Sequence, residues 1–130
     1  MPWSDYLKDR INDHIHGGPD YTRPATTYFG RFTVSPNGAG GGTEVGSRVA
    51  VTNNSTTWPA SATQVKRNDT LIDWGEAGSD LGTIVAIGEF DASSGGNMLT
   101  YGQLTIPVTI ITGDPFSIAP GAGEFSYLDF

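Results

Sequence analysis

The residues best suited to chemistry are two imidazoles one position apart, in Asp13-His14-Ile15-His16, with Asp20 close behind. On a strand, alternate residues share a face, and such a pair could bind a transition metal. On a helix, positions i and i+2 point about 200° apart, and this segment reads as a helix end. There the imidazoles interact with the C-terminal helix dipole or with a partner surface. A His-x-His without further ligands at fixed spacing is a weak metal signal, and none is assigned. Gly38–Gly42 has the glycines of a phosphate-cradling loop, but Thr43-Glu44-Val45 follows, with no Lys and no helical run. Asp91-Ala92-Ser93-Ser94-Gly95 spaces oxygen-bearing side chains as calcium loops do, yet Gly102 stands where the closing glutamate belongs. Both segments read as turns.

Catalysis finds no better footing. The four Glu and ten Asp are spread so that no pair is singled out for acid–base work on sugars. There is no Gly-x-Ser-x-Gly elbow and no Cys, so the chain is not expected to be an enzyme, and it implies no cofactor. The three tryptophans, Trp3, Trp58 and Trp74, are amphipathic and could stack on sugars, although such residues more often serve cores or subunit contacts. Trp74 follows Ile72-Asp73 beside a strand pattern and is expected to be structural. Trp58, in a polar loop before Pro59, is the better contact candidate.

The elements that carry these residues change character near residue 26. Before it, Trp3, Leu7, Ile11 and Ile15 recur every four residues and make one narrow apolar stripe on a helix. Ser4 can cap that helix, Asp5 suits its first turn, and Gly17-Gly18-Pro19 ends it. A helix of about 12 residues is marginal alone in water, so the stripe must dock on its own domain or on a neighbouring subunit. Residues 18–26 read as an extended linker, because Pro19 and Pro24 turn the preceding residues away from helix. From 27 onward short strands alternate with Gly/Pro/Asn turns, at 28–34, 48–53, 83–90, 98–104, 106–111 and 116–118, and an aromatic segment, Phe125–Phe130, closes the chain. Pro107 should sit at a strand start or an edge. The expected architecture is mainly β: an antiparallel, jelly-roll-like β-sandwich over 27–130, with residues 1–26 as an interaction arm.

Composition narrows the classes further. The longest apolar stretches run only a few residues, far short of the roughly 20 that a membrane helix needs, and no secretory signal is visible. A net charge of −7, with seven scattered basic residues, opposes nucleic-acid binding.

Two blocks carry a resemblance. Gly40-Gly41-Gly42-Thr43-Glu44-Val45 runs on to Arg48-Val49-Ala50-Val51-Thr52, and Gly82-Thr83-Ile84-Val85-Ala86-Ile87-Gly88-Glu89-Phe90-Asp91 runs on to Gly95-Gly96-Asn97-Met98-Leu99-Thr100-Tyr101-Gly102. With Pro107-Val108-Thr109-Ile110 and Gly113-Asp114, these resemble small virion proteins of tailed bacteriophages usually labelled phage tail fiber proteins. The resemblance spans about residues 27–120. It implies a virion structural protein made in the bacterial cytoplasm. The arm and the small size favour a capsid decoration or cement protein that contacts the major capsid protein and further copies of itself. A tail-associated adhesin recognising a host glycan is the competing expectation. Trp3, Leu7, Ile11 and Ile15, with Trp58, are the expected partner-binding residues.

Overall fold

A computed structural model of the protein describes residues 1–61 and 63–126. Among them lie one helix, α1 (Asp5–Ile15), and eight strands: β1 (Thr26–Val34), β2 (Thr43–Thr52), β3 (Val65–Arg67), β4 (Ile72–Glu76), β5 (Gly82–Phe90), β6 (Met98–Ile110), β7 (Pro115–Ile118) and β8 (Glu124–Ser126). The fold is mainly β, and all its strand pairs are antiparallel. Part of the closing aromatic segment, residues 127–130, lies outside the described residues.

One four-stranded sheet, ordered β2-β1-β5-β6, organises the molecule, and β3-β8 and β4-β7 form separate two-stranded ladders. The strands of the large sheet alternate as a two-faced sheet must. On one face Phe29, Val51, Ile84 and Ile87 pack against Trp58, Ile72 and Phe116, which come from the loop after β2 and from the β4-β7 ladder. On the other face Phe32, Ala86, Phe90 and Met98 form a smaller cluster, with Phe32 and Phe90 stacked. The second layer of the sandwich is thus built from short ladders and a loop.

That second face is tied down by Arg48. Its guanidinium forks onto Glu44 (Nε to Oε2 2.7 Å, Nη2 to Oε1 2.9 Å) and donates from Nη1 to the carbonyls of Ala92 and Gly95. It also lies 3.5 Å above the Phe90 ring. The Asp91–Asn97 segment is therefore a hairpin turn pinned to β2, with Asp91 accepting from the backbone and side chain of Asn97. The glycines suit a turn, as the sequence implied.

Pro107 sits within β6, an edge strand of the sheet. Ile84 pairs with Val108 and Ala86 with Gln103, so Val85 alone faces residues 104–107 of β6. Proline loses nothing in this wide bulge, because no ladder hydrogen bond is required of it there.

Candidate interaction surface

The N-terminal segment begins as a strand and only then becomes a helix. Pro2 and Ser4 run along the outer edge of β6: Tyr101 N–H donates to Pro2 O (3.0 Å), and Ser4 N–H donates to Leu99 O (2.8 Å). Trp3 bridges to Thr100. This pairing covers an edge that would otherwise offer free N–H and C=O groups. Ser4 then turns the chain: it is buried, its hydroxyl donates to Met98 O, and the same oxygen accepts Leu7 N–H (3.1 Å) as the helix cap. Asp5 N–H, in the first turn, is held by Gly38 O (2.9 Å). At the far end Gly17 takes φ 89°, and Gly18 N–H returns to Asp13 O, the bond that closes a Schellman C-cap.

The apolar stripe divides along this helix. Trp3 and Leu7 stand over the sheet and line a cleft of about 250 Å³, together with Tyr21, Thr27, Glu89 and Thr100. Ile11 is half-buried, and Ile15 is 64% exposed. The helix is thus anchored at its base and bare at its tip. His14 lies in the last turn, where its Nδ1 accepts Tyr21 N–H (3.0 Å), with Asp20 3.7 Å away. Among the described residues no group of three or more His, Cys, Asp or Glu could hold a metal ion.

Trp58 requires a correction. Expected to face a partner, it is 4% exposed and stacks on Phe29, with ring centroids 6.2 Å apart. Its polar neighbours do make a surface loop, in which Asn54 accepts the backbone N–H groups of Thr56 and Thr57. That turn points the indole inward, where burying a large aromatic outweighs the loop's polarity. Trp74 is structural as expected: its indole N–H donates to Phe29 O (3.0 Å) and its ring meets Phe116 edge-on.

Two charged residues inside the sheet escaped the sequence reading. Glu89, 8% exposed, sits at the base of the cleft and accepts from the Thr100 hydroxyl (3.0 Å). Burial pushes its carboxyl above the usual range. Tyr21 beside it is pushed up to about 12, first by burial and then by the negative groups around it. Besides Glu89, the ionisable residues lining the cleft are Tyr21, Arg23 and Lys66. Arg31, on β1, is 5% exposed on the same core face, with its guanidinium 5.8 Å from the Trp74 ring and 5.9 Å from the Phe116 ring. Desolvation lowers its pKa, and an arginine so shifted still carries its charge at neutral pH.

The geometry defines a layered antiparallel β-domain with an anchored, outward-pointing amphipathic helix. Residues 2–126 match the family model described as Podophage GP4 fiber I protein gp80. The chain belongs to this family, and with it to the structural proteins of bacteriophage virions. A search among curated proteins finds no significant match.

Proposed function

We propose that the protein is a non-catalytic subunit of a phage fibre assembly, fastened to a neighbouring virion chain by the outer half of α1. The observation that carries this is the division of the stripe. Its base is built into the sheet edge, while Ile15 stands 64% exposed on a helix held rigidly at its cap. A preorganised apolar helix face fits the groove of a partner with little ordering cost. No cofactor or nucleic acid is needed for such a role.

A second reading, a capsid decoration protein bound to the major capsid protein and to neighbouring copies, draws support from shape. The described residues form one short layered domain with no elongated shaft. The family name favours the fibre.

Because residues 2–4 pair with β6, removing the whole arm would strip the sheet edge as well, so point changes are the better test. Phage carrying Ile11→Asp with Ile15→Asp should yield a folded protein, by circular dichroism, that is lost from purified particles. Undiminished occupancy would overturn attachment through the helix. Electron cryo-microscopy of wild-type virions separates the two readings: a few copies at the tail support the fibre, and many icosahedral copies on the shell support decoration.

A further inference from the structure

We infer that the cleft beside Arg31 is a carboxylate-binding site, filled in the virion by an acidic side chain of a neighbouring protein chain. Arg31 is 5% exposed, and its Nε and Nη1 are buried with no hydrogen-bond acceptor. The aromatic rings beside it engage the guanidinium's face and leave these donors unmet. A desolvated charge in this state is costly until an acceptor arrives. A cleft of about 460 Å³ is lined by Arg31, Gly46, Ser47, Trp74, Gly78 and Ser79. The cleft meets the guanidinium on the Gly46 side, where Nη2 lies, so a carboxylate entering there pairs with Nη2 first and completes its fork only as Nε or Nη1 turns toward it. Gly46 takes φ 69°, and a Cβ at that position would come within 2.7 Å of Arg31 Nη2, so the missing side chain keeps the guanidinium clear.

The charge count selects the ligand. Arg31 supplies one buried positive charge; Glu76 and Arg48 also line the cleft, the latter with its guanidinium already committed to Glu44, and the whole chain carries −7. A single planar carboxylate balances the guanidinium and matches its fork, whereas a phosphate dianion would meet repulsion. A protein side chain suits the cleft better than a sugar acid. Trp74 is half-buried, commits its indole N–H to Phe29 O and meets Arg31 and Phe116 with its ring, which limits the area it can offer a pyranose. The inference stands apart from the helix contact and holds for a fibre or a shell subunit alike.

The test follows the arginine Nε–H signals of the full chain, labelled with 15N-arginine, during titration with sodium acetate, sodium glucuronate, sodium phosphate and sodium chloride. Loss of one signal in Arg31→Lys identifies the residue, and triple-resonance assignment serves if that variant does not fold. Acetate should shift the Arg31 signal saturably, with half-saturation on the order of millimolar, and chloride should not. Glu76→Gln should tighten acetate about threefold by removing a like charge. Equal binding of acetate and glucuronate supports an acidic side chain. Glucuronate binding more than about tenfold tighter would replace it with an acidic sugar. Phosphate binding as tightly as acetate would reduce the cleft to a general anion site. No saturable shift with any probe would overturn the inference.

Discussion

Arg31 and Arg48 lie on neighbouring strands of one sheet, on opposite faces, and both have their guanidinium groups withdrawn from water. Arg48 spends its donors on a carboxylate fork and two carbonyls, and rests on an aromatic ring. Arg31 has two aromatic rings and no acceptor at Nε or Nη1. The same side chain is therefore a finished strut on one face and an incomplete pair on the other. A buried charge whose partners are all in place belongs to the fold. One that lacks them marks where the molecule expects company.

The contrast can be broken by substitution, and the expected signs differ. Arg48→Met leaves Glu44 without its cation and frees the 91–97 turn, so stability should fall by about 3 kcal/mol, read from urea denaturation. Arg31→Met removes an unsatisfied charge from an apolar setting. It should be neutral or raise stability by about 1 kcal/mol in the same assay, while abolishing the acetate response. Equal losses in both variants would erase the distinction. A smaller effect sharpens it. Glu89 is a buried acid with its pKa raised, so the native state holds a proton that the unfolded chain has lost in the window just above pH 4.5. Stability should fall as pH rises through that window, and Glu89→Gln should flatten the slope relative to wild type. The Ile11→Asp and Ile15→Asp pair should leave the denaturation midpoint nearly unchanged, since Ile15 is exposed and Ile11 only half-buried.

What the sequence made legible was local. The cap at Ser4, the stop at Gly17 and the hairpin at Asp91–Asn97 depend on residues within a few positions of one another, and all are found as expected. The long strands β1 and β5 announced themselves through apolar content. The short strands β3 and β4 did not: Val65-Lys66-Arg67 is mostly charged, and Gly75 interrupts Ile72–Glu76. Trp58 was misplaced because its neighbours spoke for a surface loop while its burial depends on Phe29, across the sheet. Arg31 and Glu89 hid for a similar reason. Each interrupts an apolar run as an exposed charge on a half-wet strand would, and distant segments make them interior: the β4-β7 ladder over Arg31, and the N-terminal arm with the loop after β2 around Glu89. One signal was available: Phe29 and Arg31 sit two apart and so share a side, which placed a cation beside the largest core residue of β1.

The strand-like start of the chain also bears on when the protein becomes competent. Ser4 reaches its partner Met98 across 94 positions of sequence. Closing so long a loop is entropically slow, and native contacts of this range delay folding. During synthesis the first residues emerge with nothing to pair with, and they gain a partner only after the β5-β6 hairpin exists. The helix acquires its fixed bearing at that moment. A product terminated before β6 would therefore carry the apolar helix face with no fixed orientation.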